Sequence, residues 1–416
     1  MTDDFGPALM ARLDEFAGFT DEPGVLTRFY LSPAHRRAAD QLMRWMAETG
    51  MTARLDAAGN VVGRYEGAEP GLPALLLGSH IDTIRNAGKY DGNYGVLAAL
   101  AAVEALQRQG TRLPFAIEII GFGDEEGVRF PVTMTGSRAM AGRLDPAVLQ
   151  LQDTDGTRMA DALARFGGDP AAIDLCTRRP DELLAYVELH IEQGPVLEAA
   201  GLPVGIVTAI NGASRFEVTL AGQSGHAGTV PMALRRDAVA AAAEMILAIE
   251  RLALETPDLV ATVGRVSAQP GVVNVVAGGA GFTIDLRSPS DAVRVSATKL
   301  LTERLKAIGE RRRVGVAVRQ THDAPATACA PFLVEQLDAA VRRADMPAQR
   351  LPSGAGHDAM VIAALAPVGM LFLRCRDGLS HHPDEAITPE DAGLGVRILL
   401  DFLQHFTVPP REKDFP

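Results

Sequence analysis

From Ala74 to Phe122 the chain runs through an apolar stretch (Ala74–Leu77), a glycine-rich loop, a helical pattern and a second apolar stretch (Phe115–Phe122). Short apolar runs bounded by glycine loops predict buried strands, and the 95–109 segment between them predicts a helix. That alternation argues for an α/β layer with a largely parallel sheet. Upstream, Ser32-Pro33 supplies an N-cap and a first-position proline for a helix that Gly50 should end, with Leu42, Met43, Trp45 and Met46 on its apolar face. Downstream, LLAYVELHIEQG predicts a further strand, after a linker-like segment near 167–180.

Residues 214–320 follow another rhythm. SRFEVTLAG alternates like a strand, RRDAVAAAAEMILAIERLALE has helical spacing, and LVATVGRVSA and GFTIDLRS read as two more strands. SDAVRVSATKLLTERLKAIG then predicts a helix and RRVGVAVRQ a last strand. The order βαββαβ is the ferredoxin-like split arrangement. The α/β pattern resumes afterwards with a helix, the strand VGMLFLRC and a helix opened by Thr388-Pro389-Glu390. The expected architecture is therefore one α/β domain, 1–211 and 329–416, carrying an inserted ferredoxin-like βαββαβ domain, 212–328.

A chain of 416 residues is long enough for these two domains. With 40 basic against 52 acidic residues the formal net charge is −12, which excludes nucleic acid as an expected partner. The acidic N-terminus lacks the basic flank and apolar run of a signal peptide, and no apolar stretch is long enough to span a bilayer. Cys176, Cys329 and Cys375 are widely spaced, which fits a reducing compartment. A cytoplasmic protein without membrane partners is expected.

Candidate chemistry gathers where apolar runs end: His80 and Asp82 with Asp91; Asp124, Glu125 and Glu126; Glu188, His190 and Glu192; His381 and His382. In an open α/β sheet these strand ends face a common crevice. His35 and His405 lie in helical stretches and read as ordinary. GFGDEEG begins like a dinucleotide-binding turn, but its third glycine is one position late and three carboxylates would face a pyrophosphate. The same loop suits Zn²⁺, Mn²⁺ or Co²⁺, which accept imidazole nitrogen and carboxylate oxygen together. Of the adjacent Glu125 and Glu126, one can bind metal while the other stays free as a base, and Asp82 is spaced to fix the His80 tautomer from behind.

GSHIDT, the Gly88–Gly92 loop, DEEG, ELHIEQG, SGHAGTVPM, SGAGHDA and GLSHHPDE together resemble the M20-type binuclear metallohydrolases. They are most similar to the hydantoinase/carbamoylase branch, which contains N-carbamoyl-L-amino-acid hydrolases, β-ureidopropionases and allantoate amidohydrolases. The resemblance implies a mixed-sheet metallohydrolase domain with an inserted dimerisation (lid) domain, a homodimer, and two divalent metal ions per subunit. It implies that Asp91 bridges the two metals, with His80 and His190 at one and Glu126 and His381 at the other. His381 rather than His382 matches the pattern Ser-His-x-Pro. Glu125 would be the general base, and His226 would stabilise the oxyanion across the dimer interface. Gln193 would bind the ureido group, and Asn274 and Arg287 would hold the substrate, Arg287 by its α-carboxylate unless it merely pairs with Asp285 or Asp291. Arg215, Gly356 and His357 complete the implied substrate contacts, although His357 and Asp358 also read as a helix-opening pair. In allantoate-cleaving relatives a basic residue is expected where this chain has Ser214, which tilts the expected substrate, a small ureido acid, toward an N-carbamoyl-L-amino acid.

Overall fold

The computed structural model of the protein describes residues 4–408. Contacts divide the chain into two compact units, one of residues up to Thr208, Cys329–Leu351 and from Gly356 onward, the other of Ala209–Ala328 with Pro352–Ala355. Residues 209–211 and the short Pro352–Ala355 segment fall with the second unit, whereas the sequence boundaries put them in the first.

In the first unit the strands lie in the order Thr52–Leu55, Val61–Tyr65, Ala116–Phe122, Ala74–His80, Leu183–Ile191, Val368–Leu373, Val204–Ile210. The four central strands, from Ala116–Phe122 to Val368–Leu373, run parallel. The pairs outside them are antiparallel, so the sheet is mixed. Every residue of Ala74–His80, Ala116–Phe122 and Val368–Leu373 is buried, as expected for strands covered on both faces. The helix Asn93–Arg108 begins two residues earlier than its hydrophobic pattern suggests and is buried almost all round. It packs on the sheet on one side and against the helices Phe5–Ala17 and Pro389–His405 on the other. Gly95 permits that approach: a Cβ there would sit 2.0 Å from the Leu189 carbonyl oxygen. The helix Pro33–Glu48 starts as its sequence predicts, with Ser32 accepting the His35 N–H at 3.1 Å. Trp45 is core and meets Phe16 at a tilt, with ring centres 5.9 Å apart.

The second unit is an antiparallel sheet in the order Val266–Gln269, Gly279–Ser288, Gly212–Ala221, Gly315–Ala324. The helices Ala238–Glu255 and Asp291–Arg312 supply the apolar side chains that pack on Phe216, Val218, Leu220, Phe282 and Ile284. The stretch expected as one strand at 259–268 is two, Val260–Thr262 and Val266–Gln269. Residues 263–265 stand opposite only Thr283 and Ile284, so the extra residue bends the strand out of register. A two-stranded ribbon pairs Gly225–His226 with Val275–Val276. Among the described residues no helix is long and apolar enough to cross a membrane.

Candidate metal centre

Parallel strands end at one edge of the sheet, and four chain segments converge there. His80 closes its strand opposite Phe122, so the Gly123–Glu126 loop starts beside it. His190, next to last in its strand, pairs with Phe372 of the neighbouring strand, whose following loop carries His381. The loop after His80 turns back to place Asp91 against the histidine. Gly92 makes this closure possible, because its φ is 65° and a Cβ would lie 2.5 Å from the His80 ring.

Asp91 is the meeting point. Its Oδ1 lies 3.5 Å from His80 Nε2 and 3.2 Å from His190 Nε2. Its Oδ2 lies 3.1 Å from His381 Nε2, which in turn is 3.6 Å from Glu126 Oε2. The ligand atoms of His80, Asp91 and His190 form one group and those of Asp91, Glu126 and His381 a second, each within 4.8 Å. Asp91 belongs to both.

These residues fit a divalent cation. Asp91 Oδ1, Glu126 Oε1 and His190 Nε2 are buried without a hydrogen-bond partner, and each such atom costs about 1–3 kcal/mol unless something satisfies it. The ring orientations agree. Nδ1 of His80 is 3.0 Å from the Asp82 carbonyl and Nδ1 of His190 is 2.9 Å from the Ile191 carbonyl. A carbonyl only accepts, so Nδ1 carries the hydrogen and the Nε2 lone pair faces Asp91 when the ring is neutral. Mixed imidazole and carboxylate donors suit Zn²⁺, Mn²⁺ or Co²⁺.

The charges point the same way. Burial pushes Glu126 up to about 7, with Asp91 adding to it. Burial also raises Glu125 well above the ordinary range; His80 opposes this, while Glu126, Asp358 and Asp82 reinforce it. Against the effect of their own burial, Asp91 holds His80 and His190 above the usual imidazole range. Its hydrogen bond brings His381 to about 9. Burial would lift Asp91, but the three histidines keep it well below a normal carboxylate. A site whose carboxylates resist ionisation for want of positive charge is one that cations relieve.

Asp82 works differently from its sequence expectation. The His80 ring is set by the Asp82 backbone carbonyl, and the carboxylate stands 3.9 Å from Nδ1. That buried carboxylate instead accepts the N–H groups of Glu125 at 3.2 Å and Glu126 at 3.3 Å. It therefore fixes the backbone from which the half-buried Glu125 side chain projects. Asp124 turns away, at φ 68°, and accepts the Thr135 hydroxyl. Glu192 accepts N–H groups of Val196 and Leu197, and the Nδ1 of exposed His382 accepts the Asp384 N–H. His35 is buried, its Nδ1 accepting the Leu31 N–H, and exposed His405 contacts the Asp401 carbonyl.

Gln193 reaches the centre. Its Nε2 donates to Asp91 Oδ2 at 2.9 Å and to Ser380 Oγ at 3.3 Å, which leaves Oε1 as a buried acceptor without a partner. His357 packs its ring on that of His190 at 4.6 Å. Burial, then the His190 charge, lower its pKa well below the usual value. Its backbone opens the helix Asp358–Ile362, but its side chain does not cap it. Gly356 lies beside, with a Cβ position 3.2 Å from Met134 Cε.

The remaining sequence candidates belong to the second unit. His226 is exposed on the ribbon, where its Nδ1 accepts the Gly228 N–H at 3.1 Å, so Nε2 carries a hydrogen. Asn274 is exposed on the facing segment, and its carbonyl accepts the Ala227 N–H. Arg287 grips Asp285 through Nε and Nη2 at 2.7 and 2.9 Å, and Arg215 Nε joins the same carboxylate at 2.9 Å. The pairing with Asp285 weighed from sequence is thus present; Asp291 pairs with Arg294 instead. Two arginines on one aspartate leave a net positive charge, and Arg287 Nη1 meets the Gly354 carbonyl. Ser214 is a correction. It is buried beneath the helix face, bonded to Arg294 and Asp323, so it faces away from Arg215 and cannot report on substrate. Alternation along the strand accounts for this.

The sequence reading missed Ser380 and Glu385. Buried Glu385 accepts the N–H groups of Tyr90 and Asp91, and Ser380 lies between it and Asp91. Ser380 and Glu385 both stand in the motif GLSHHPDE, whose spacing by itself gives neither a role.

The model of peptidase family M20/M25/M40 matches residues 76–405. The chain is 41 % identical over 395 residues to an N-carbamoyl-L-amino acid amidohydrolase of Geobacillus stearothermophilus, covering 95 % of this chain and 97 % of that one. It is 39 % identical over 428 residues to an allantoate deiminase of Arabidopsis thaliana, covering 95 % and 81 %. Among solved structures, an amidase of the hydantoinase/carbamoylase family from Burkholderia multivorans superposes with a TM-score of 0.91 at 34 % identity, over 96 % of this chain and 97 % of that one.

Proposed function

We propose, from the premise that the chain belongs to peptidase family M20/M25/M40, that it hydrolyses the ureido C–N bond of an N-carbamoyl-L-amino acid, releasing the amino acid, ammonia and carbon dioxide. The observation that carries this reading is the sharing of Asp91 between two groups of metal-ligand atoms. His80 and His190 would hold one divalent cation and Glu126 and His381 the other. Bound there, Zn²⁺, Mn²⁺ or Co²⁺ would polarise the ureido carbonyl and make water more acidic.

The chain's own groups supply the proton movements. Glu125, held by the Asp82-anchored backbone, removes a proton from the attacking water and returns it to the departing nitrogen. The unpartnered Oε1 of Gln193 accepts an N–H of the ureido group. The positive Arg215–Asp285–Arg287 cluster, with Asn274, receives the α-carboxylate. His226, whose Nε2 carries a hydrogen, donates to the developing oxyanion of a second copy in a homodimer. His357 and Gly356 border the substrate beside His190. A cytoplasmic location accords with three free, buried cysteines.

Allantoate is the second reading, because relatives of nearly equal identity carry that activity in their names. With Ser214 buried, the argument that tilted the choice falls away, and the relatives' identities alone rank the two. Ammonia release from N-carbamoyl-L-amino acids, allantoate and N-carbamoyl-β-alanine by Mn²⁺-loaded protein tests the proposal. Turnover led by an N-carbamoyl-L-amino acid supports it. Turnover led by allantoate selects the second reading, and activity only on peptides overturns both.

A further inference from the structure

A serine hydroxyl has one hydrogen, and two carboxylates compete for that of Ser380. Its Oγ lies 2.8 Å from Glu385 Oε2 and 3.2 Å from Asp91 Oδ2. The 2.8 Å contact has the usual length of an O–H···O bond and the 3.2 Å contact lies beyond it, so the geometry gives the hydrogen to Glu385. Glu385 is well placed to hold it. The carboxyl group is buried, its Oε1 takes the N–H groups of Tyr90 at 2.9 Å and Asp91 at 3.1 Å, and its backbone N–H bonds the His382 carbonyl at 3.1 Å. The metal loop lies directly on it: a Cβ at Gly88 would be 2.3 Å from Glu385 Cδ. One side chain thus ties the Asp91 loop to the turn that carries His381.

We infer that Glu385 is a positioning residue of the metal centre, drawing the Ser380 hydrogen to itself so that Asp91 Oδ2 stays available to a cation. The Ser380 oxygen then turns a lone pair to Gln193 Nε2, 3.3 Å away. Gln193 remains the only hydrogen-bond donor of this trio aimed at Asp91 Oδ2. The inference rests on the two-metal reading above and assigns a role to a residue outside the ligand set.

The test is a double-mutant cycle on Mn²⁺ affinity, measured by titration calorimetry on the metal-stripped full chain. In Glu385→Gln the amide can keep the Tyr90 and Asp91 contacts through its oxygen, but its NH₂ faces Ser380 and drives the hydroxyl hydrogen onto Asp91. The expected result is an affinity about 10-fold lower at one or both sites, in the range typical of a lost outer-shell partner. Adding Ser380→Ala removes the misdirected hydrogen, so E385Q/S380A should recover to within about threefold of wild type. Such recovery is what a merely structural glutamate would not give. Unchanged affinity in E385Q, or a double variant no better than E385Q, overturns the inference. Should E385Q fail to fold, Ser380→Ala alone decides: affinity within about threefold of wild type supports the assignment, and a loss of about 10-fold or more refutes it. Wild-type protein that binds no Mn²⁺ would instead remove the metal-centre reading itself.

Discussion

Replacing Asp82 by alanine isolates the contribution of a side chain that touches neither a ligand nitrogen nor the expected substrate. Its carboxylate accepts two backbone N–H groups, at 3.2 and 3.3 Å, from Glu125 and Glu126. Hydrogen bonds to a charged acceptor contribute about 1.5–3 kcal/mol each, and these long ones belong at the lower end. Losing both removes about 3 kcal/mol of restraint on the base-bearing loop. If half of that appears as misplacement of Glu125 in the transition state, kcat falls about 10-fold, and if all of it appears, about 100-fold or more. Asp82→Asn, which keeps one acceptor oxygen, should lose less. The His80 ring stays oriented in both, because it bonds the backbone carbonyl of residue 82. The assay is ammonia release at saturating substrate and Mn²⁺, with metal counted in the same samples. A kcat for D82A within about threefold of wild type would refute the positioning argument. A variant that loses its metal would show instead that the carboxylate acts on the metal ligands, through the Glu126 backbone or through His80.

Glu125→Gln should keep its metal and lose about 10²–10⁴-fold or more in turnover, since an amide cannot take the proton from water. Retained activity, or absent metal, would reassign Glu125. Subunit sharing is tested by mixing Glu125→Gln with His226→Ala and letting the subunits exchange. If His226 serves the partner's site, each mixed dimer has one site with both lesions and one with neither, and activity returns toward half of wild type. Exchange confirmed by mass without recovery would place His226 in its own subunit's site or outside catalysis.

The parts of the fold that depend on local pattern were legible. The strand at Ala74–His80, the capped helix at Pro33–Glu48 and the βαββαβ order each follow from short-range periodicity and turn residues. So was the gathering of candidate ligands at strand ends, because parallel strands bring their ends to one edge; the family resemblance, not the strand pattern, singled out His80, Asp91, Glu126, His190 and His381 among them. What escaped depends on side-chain direction and on bonds to distant backbone. Ser214 and Arg215 are neighbours in sequence yet lie on opposite faces of one strand, one under a helix and one in solvent. Asp82 carries a carboxylate suited to orient an imidazole, yet bonds backbone N–H groups more than forty residues away, a choice no spacing rule expresses. Glu385 grips the loop of Tyr90 and Asp91 from almost three hundred residues off.

The claim on which the rest depends is that Asp91 joins two cations in one centre, and elemental analysis of purified Asp91→Ala measures it. With the bridging carboxylate gone, His80 and His190 on one side and Glu126 and His381 on the other are each left a ligand short. Wild-type protein loaded with Mn²⁺ should carry about two metal ions per chain and the variant close to none, both sites emptying together. A variant that keeps its full metal content, or that loses one ion and holds the other as tightly as before, would contradict the bridge.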